Sequence, residues 1–351
     1  MHVAIVGGGI NGVMTAWLAA RAGHQVTLFE RGVLLGETSS ASSKLLHGGL
    51  RYLANAEFRL VREALKERAW WLREAPELTT SVAMILPVLH GARPRWILAL
   101  GLWLYVLLSR GDLPRHRWLG REALLQRRPD LRSPGLRGGY VFFDGLMHDD
   151  AALGRWAAQR ARESGAVLHE YSPVDAVRAD GSVQRHGEWL RFDRVINVAG
   201  PWAAQLLAQS GIDARHELDL VRGSHVVFDQ PCTHALLLQD PESSRILFVL
   251  PYQGQTLFGT TEVRQSLDQA CVPSDVELAY LRRIWVFHFG VKMPEPVHSF
   301  AGCRPLIRDV GEPGAISREY ALDGQDKLIS VFGGKWTTSR ALAARVLESL
   351  A

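Results

Sequence analysis

Residues 1–30 read MHVAIVGGGINGVMTAWLAARAGHQVTLFE, and this stretch decides the fold. His2–Val6 is a short apolar run that fits a buried strand. Gly12–Ala22 is helix-forming and stops at Gly23, a residue suited to the left-handed position after a helix end. Gln25–Glu30 reads as a second buried strand. Between the first strand and the helix, Gly7-Gly-Gly9-Ile-Asn-Gly12 matches G-x-G-x-x-G. In that motif the first glycine allows a tight turn, the second admits a pyrophosphate against the backbone, and the third lets helix and strand pack closely. The helix N-terminus would face the phosphates with unpaired N–H groups and a partial positive charge. Glu30 closes the second strand eighteen residues after Gly12, where a carboxylate meets adenosine ribose hydroxyls. The unit predicts a dinucleotide site, and its acid argues against a 2′-phosphate and so against NADP.

The next informative stretch is Thr38–Tyr52, TSSASSKLLHGGLRY. Small hydroxyl side chains and glycines let backbone N–H groups approach a bound group closely. Lys44, His47, Arg51 and Tyr52 add the positive charge and hydrogen-bond donors that an anionic ligand needs. A Ser-rich surface loop would be the non-functional reading. The fingerprint just upstream favours a large phosphate-bearing cofactor with a substrate beside it.

Composition narrows the classes. A chain of 351 residues with 47% hydrophobic content can bury a sizeable core. Forty basic against 36 acidic residues give a net charge of +4, spread without a polybasic tail. That suits a phosphorylated substrate or an anionic surface and argues against nucleic acid. Cys232, Cys271 and Cys303 are far apart with no CxxC pair, so no disulfide framework or zinc site is expected, and a reducing cytoplasm is the expected compartment. The chain opens directly on a strand, so a removable signal peptide is not expected.

Further along, residues 55–74 show a 3.6-residue apolar period through Phe58, Val61, Ala64, Leu65, Ala69 and Leu72, and Ser81–Leu89 reads as a strand. Trp96–Leu108, WILALGLWLYVLL, has no charge across thirteen residues. As a helix it spans roughly 20 Å, short of the ~30 Å hydrocarbon core, so it cannot cross a membrane. Flanking arginines 93, 95 and 110, with Trp96, Trp103 and Tyr105, suit a lipid interface, and a buried core helix is the competing reading. Asp149–Glu163 reads as a helix with Asp149 or Asp150 as cap. Val167–Glu170, Val174–Arg178 and Arg194–Val198 read as strands, the last entering Asn197-Val-Ala-Gly-Pro-Trp202. From about Leu218 to Phe332 the text is strand-rich, which predicts an antiparallel sheet inserted into the nucleotide domain.

That part holds isolated polar residues in apolar surroundings: His225, Arg304 and Arg318. A buried arginine is costly unless paired, so salt bridges compete here with a converging pocket for a small phosphate or carboxylate. Gly333-Gly334-Lys335-Trp336-Thr337-Thr338 sits at the start of a last helix, where N–H groups can stabilise negative charge on a reduced flavin. This turn and the Thr38–Tyr52 segment favour FAD over NAD, against the plainer reading of an ordinary glycine turn.

The chain resembles the FAD-dependent glycerol-3-phosphate dehydrogenases, within the wider D-amino-acid-oxidase-like flavoproteins. The resemblance runs through GGGINGVMTAWLAARAG, TSSASSKLLHGGLRYL, FRLVREALKERAWWL, INVAGPWA, VRGSHVVF, PYQGQTLFGTTE, FAGCRPLIRD, SREYAL and FGGKWTTSR. It implies an α/β fold: a Rossmann-like FAD-binding domain (residues 1–75, 145–212 and 325–351) interleaved with an antiparallel-sheet substrate domain (76–144 and 213–324). It implies that FAD is lined by Gly7, Gly9, Asn11, Gly12, Glu30, Arg31, Thr38, Ser39, Ser40, Lys44, Leu46, His47, Gly48 and Gly49, and by Val174, Gly200, Pro201, Trp202, Gly333, Gly334, Lys335, Trp336 and Thr337. It places Arg51, Tyr52, His225, Arg304, Arg318 and Lys335 around glycerol 3-phosphate, with His225, Arg304 and Lys335 catalytic and His225 the first choice as base. No metal is expected. A quinone or other acceptor, a peripheral position on the inner face of the cytoplasmic membrane, and a homodimer are implied as partners and place. Relatives of this type continue past the final FAD helix into a helical domain, whereas this chain stops at Ala351, which bears on dimer contacts and the quinone step. The alternatives are an oxygen-using oxidase of another small anionic hydroxy or amino acid, and a silent FAD-binding protein on a membrane surface.

Overall fold

The computed structural model describes all residues except 54–55, 92, 133, 244, 309–319 and 351, with only the backbone of Arg51 described. A six-stranded sheet runs in the order Tyr320–Gln325, Leu328–Gly333, Arg194–Asn197, His2–Val6, Gln25–Phe29, Val167–His169. Its strands are parallel except for the hairpin Tyr320–Gln325/Leu328–Gly333. The first strand is therefore central, with Val6 in register with Asn197 on one side and Phe29 on the other. Its C-terminal end is a switch point, where open parallel sheets bind ligands.

Helices Ile10–Arg21, Asp150–Glu163 and Ser339–Glu348 contribute to one core cluster against this sheet, and Ala203–Gln209 to another. The first helix buries Val13, Met14, Ala16, Ala19 and Ala20. Close packing at its start depends on Gly12: a Cβ there would lie 2.0 Å from the Gly7 carbonyl oxygen. The helix can seat its N-terminus against the strand only because that atom is missing.

The second sheet has the order Val263–Arg264, Leu218–Phe228, Gln255–Gly259, Ile246–Tyr252, Ala235–Gln239, Thr79–Leu89, Leu136–Met147, Leu45–Leu46, with His298–Ile307 added along Leu218–Phe228. It is antiparallel save for the pairing of Ala235–Gln239 with Thr79–Leu89. Two segments cross the domain limits expected from sequence. Tyr320–Gln325 joins the parallel sheet through its hairpin, and Leu45–Leu46 joins the second sheet by pairing with Leu146 and Gly145. The Thr38–Tyr52 stretch thus passes from one sheet to the other.

Local readings differ in smaller ways. Of the strand expected at Val174–Arg178 only Ala176–Val177 pairs. The 3.6-periodic stretch begins as a helix at Phe58 and runs to Glu74. Leu136–Met147 and the helix Asp275–Phe289 stand where no element was expected. Of the strand-rich stretch expected from Leu218 to Phe332, residues 309–319 lie outside the described residues.

Arg95–Leu108 is a helix, and it is not a core helix. Leu102 and Tyr105 turn inward, while Trp96, Leu100, Trp103 and Leu107 form an outward stripe at 68%, 48%, 52% and 57% exposure. Their spacing puts them on one face. Among the described residues no helix is long and apolar enough to cross a membrane.

Gly12→Ala should lower stability by about 1–3 kcal/mol through overpacking. In the same helical register of cost, Gly101→Ala, whose Cβ meets nothing within 4 Å, should raise it by about 0.5–1 kcal/mol. Thermal unfolding of the two variants checks the contrast.

Candidate active site

Between the two sheets lies a cavity of about 530 Å³. It starts at the C-terminal end of the first strand, lined by Gly7, Gly9, Asn11, Glu30, Arg31, Val174 and the Gly200-Pro201-Trp202 turn. It passes Thr38, Ser39, Ser42, Ser43, His47 and Gly49, and reaches Tyr52, His225 and Arg304. Gly333, Gly334, Lys335, Trp336 and Thr337 close one side.

The dinucleotide end fits a large diphosphate cofactor. A Cβ on Gly9 would meet only Ser39 Oγ, at 3.3 Å, so the backbone there is open to the cavity. The helix behind it has no acidic residue in its first turn and a glycine at its N-cap, leaving its dipole for an anion. Glu30 accepts from the N–H groups of Gly8 (2.7 Å) and Gly32 (2.8 Å), which fix the carboxylate with lone pairs to spare for hydroxyls. Arg31 stacks over Trp202 at 3.8 Å. Asn11 Oδ1 is buried without a partner among the described residues.

Thr38–Tyr52 is held by tertiary bonds rather than by its own secondary structure. Ser39 Oγ accepts the Ile10 N–H at 3.0 Å, and the Ser39 carbonyl accepts the Trp336 indole N–H at 3.0 Å. Thr38 donates to the Cys303 carbonyl at 2.7 Å. Asp150, buried at the start of its helix, accepts from the Ser42 N–H, the Ser42 hydroxyl and the Lys44 ammonium, the last at 2.7 Å.

Five residues expected at the cofactor lie behind the cavity wall. Gly12 packs on Gly7. Ser40 donates to the Gly36 and Glu37 carbonyls. Lys44 is buried and paired with Asp150. Leu46 is in the core, and Gly48 gives its N–H to the Tyr105 hydroxyl at 2.7 Å. Gly12, Lys44, Leu46 and Gly48 are buried, each satisfied within the protein, while Ser40 is half-buried and turned to the backbone of its own turn. Arg51's side chain and Arg318 lie outside the described residues.

Among the residues expected around a substrate, His225 is 3% exposed and Nε2 meets Ser43 Oγ at 2.9 Å. Its ring stacks on Phe300 at 5.0 Å, and the Lys44 ammonium sits 4.8 Å over that same phenyl. Burial first, then the charges of Lys44 and Arg304, bring the imidazole down to about 3. His225 is therefore neutral at pH 7 and only weakly basic. Arg304 Nη2 donates to the Thr261 carbonyl at 2.9 Å, and Nη1 lies 3.7 Å from Glu262. The Lys335 ammonium sits 4.1 Å over the Tyr52 ring.

Sequence reasoning missed two features of the cavity and one contact behind it. Met84, Phe142, Leu237, Ile246 and Phe248 give one lobe an apolar wall. Asp144 lines the same lobe. It accepts from Tyr105 at 2.7 Å and Arg68 at 3.3 Å, and burial pushes it up to about 6. Tyr105 belongs to the exposed apolar helix, so its hydroxyl ties that helix to both Gly48 and Asp144. Only the inward position of a tyrosine among leucines could have signalled this.

These features define the class. Residues 2–348 match the model for FAD dependent oxidoreductases (DAO), and the chain belongs to that family. Its cofactor is FAD. Over 99% of its length it is 40% identical to the glycerol-3-phosphate dehydrogenase of Pseudomonas aeruginosa and 36% identical to the D-erythritol 1-phosphate dehydrogenase of Brucella abortus. It spans 71% and 72% of those relatives. The glycerol-3-phosphate dehydrogenase of Bacillus halodurans, solved with FAD, superposes with a TM-score of 0.79 at 25% identity, covering 100% of this chain and 64% of that one.

Two outcomes are expected. Tyr105→Phe strands the buried Gly48 N–H and should cost about 1–3 kcal/mol, seen as a lower melting temperature and weaker retention of FAD. His225 binds a proton on unfolding at any pH between about 3 and 6.5, so its contribution is fully present above pH 6.5 and lost as pH falls. In His225→Asn the stability lost between pH 7.5 and 5 should shrink by about 2 kcal/mol, measured by denaturant titration.

Proposed function

We propose that the chain oxidises sn-glycerol 3-phosphate to dihydroxyacetone phosphate and passes the electrons to a quinone. The observation that supports this is that His225, Arg304, Tyr52 and Lys335 line the same cavity as the Gly7–Gly9 turn and Glu30. Two cations, a phenol and a neutral imidazole suit a small alcohol that carries a phosphate.

In this reading the cofactor is held by the Gly7–Gly12 turn, Glu30, the Thr38–Gly49 segment and the Gly333–Thr337 turn. When bound, FAD accepts a hydride from the substrate carbon. His225 takes the hydroxyl proton on Nε2, the nitrogen that meets Ser43 at the cavity wall. An imidazole this weakly basic gains basicity when a phosphate enters beside it. Arg304 polarises the oxygen or holds the phosphate. Lys335 and Tyr52 orient the substrate and favour negative charge on the reduced ring.

The quinone is supported by the apolar lobe of Met84, Phe142, Leu237, Ile246 and Phe248, which lies under the exposed helix Arg95–Leu108. The Trp96–Leu107 stripe would rest on the inner face of the cytoplasmic membrane without crossing it. A longer polyol phosphate is the second reading, favoured by the similarity to a D-erythritol 1-phosphate dehydrogenase.

Anaerobic addition of glycerol 3-phosphate should bleach the bound flavin, with erythritol 1-phosphate, glycine, sarcosine and 2-hydroxyglutarate as comparisons. His225→Ala should slow bleaching by about 10²–10⁴-fold. Bleaching by an amino acid and by neither polyol phosphate would contradict the proposal. For the surface, a Trp103→Ser/Leu107→Ser variant should lose co-sedimentation with anionic lipid vesicles while keeping its flavin.

A further inference from the structure

Glu277 lies outside the cavity, yet it is tied through its neighbours to two of the cavity's residues, His225 and Arg304. It occupies the first turn of helix Asp275–Phe289 and is 2% exposed. With Ser274 it completes a capping box: Oε2 accepts from the Ser274 N–H at 3.0 Å and the Ser274 hydroxyl at 2.7 Å. The same oxygen accepts from Arg222 Nε at 3.0 Å.

The other oxygen serves no helix. Oε1 accepts from the hydroxyls of Thr261 at 2.6 Å and Ser224 at 2.7 Å. Both hydroxyls are buried, and Thr261 Oγ1 also accepts the Ser224 N–H at 2.8 Å. Ser224 directly precedes His225. Thr261 follows Thr260, a cavity residue, and its carbonyl holds Arg304 Nη2 at 2.9 Å. One carboxylate oxygen thus joins the strand that carries His225 to the segment that carries the anchor of Arg304.

A capping box can be closed by glutamine as well as by glutamate. A buried charge is expensive unless several donors meet it. Burial alone would raise this acid, but the hydroxyls of Thr261, Ser274 and Ser224 outweigh it and hold the group at about 2. The carboxylate is therefore fully ionised at neutral pH and accepts five hydrogen bonds from two sides at once, on both oxygens, which an amide cannot do.

We propose that Glu277 is a positioning residue of the active site, setting the relative placement of His225 and Arg304 through Ser224 and Thr261. This rests on the reading above in which those two residues face the substrate.

The test separates the two halves of the carboxylate in the FAD-loaded enzyme. Ser274→Ala cuts only the helix cap, Thr261→Val cuts only the site-side arm, Thr261→Ser restores that arm's hydroxyl, and Glu277→Gln weakens both. Three quantities are measured: melting temperature, kcat and KM for glycerol 3-phosphate, and the rate at which phenylglyoxal labels the Arg304 peptide. Thr261→Val and Glu277→Gln should lower kcat/KM at least tenfold and speed Arg304 labelling at least threefold, with Thr261→Ser close to the parent. Ser274→Ala should lower the melting temperature and keep kcat/KM within twofold. Equal loss of kcat/KM in Ser274→Ala and Thr261→Val, or unchanged labelling in Thr261→Val and Glu277→Gln, would overturn the proposal. If glycerol 3-phosphate leaves the parent flavin oxidised while the labelling pattern holds, the substrate reading fails and the positioning role stands.

Discussion

The buried ion pair between Lys44 and Asp150 is the constraint on which the site depends. Both side chains are almost wholly removed from water, and the ammonium also donates to the Ser40 carbonyl. Removing one partner of such a pair costs about 3–5 kcal/mol, because the other is left buried and uncompensated. Asp150 also takes both donors of Ser42, so a single carboxylate at a helix start fixes the centre of the Thr38–Tyr52 segment. That segment bridges the helix that follows the first parallel strand, through Ser39 and Ile10, and the second sheet, through Leu45–Leu46. The cavity exists where it does because this bridge holds one of its walls.

The same pair reaches the chemistry. The Lys44 ammonium faces Phe300, Phe300 stacks on His225, and the positive charge helps keep the imidazole neutral. The lysine therefore shapes the site from behind. On the opposite side Tyr105 performs a comparable service for Gly48, and it does so from a helix whose outer face is bare tryptophan and leucine. Cofactor loop, candidate base and exposed apolar helix are linked by a few buried polar contacts.

The nucleotide half was legible because its signals are local: glycines at fixed spacing, an acid at a strand end, and alternation of strand and helix within thirty residues. A dinucleotide site followed from these, while FAD rested on the Thr38–Tyr52 segment, the Gly333–Thr338 turn and the family resemblance. The apolar cavity lobe was not legible, since Met84, Phe142, Leu237 and Phe248 come from four strands that only the sheet order brings together. Helix Asp275–Phe289 did carry a readable signal, Ser274-Asp-Val-Glu277 at capping-box spacing. Lys44 shows the limit of reading residue type alone. A lysine in a Ser-rich, Gly-rich loop suggests an anionic ligand, and only the fold reveals Asp150, more than a hundred residues away, as its partner.

The affinity of Asp150→Asn for FAD, measured by ultrafiltration of the purified protein at neutral pH, tests most directly whether this pair organises the site. An amide cannot balance the buried Lys44 ammonium, so the Thr38–Gly49 segment should loosen and FAD should bind at least tenfold more weakly. Parent-like affinity in a folded Asp150→Asn protein would contradict the account.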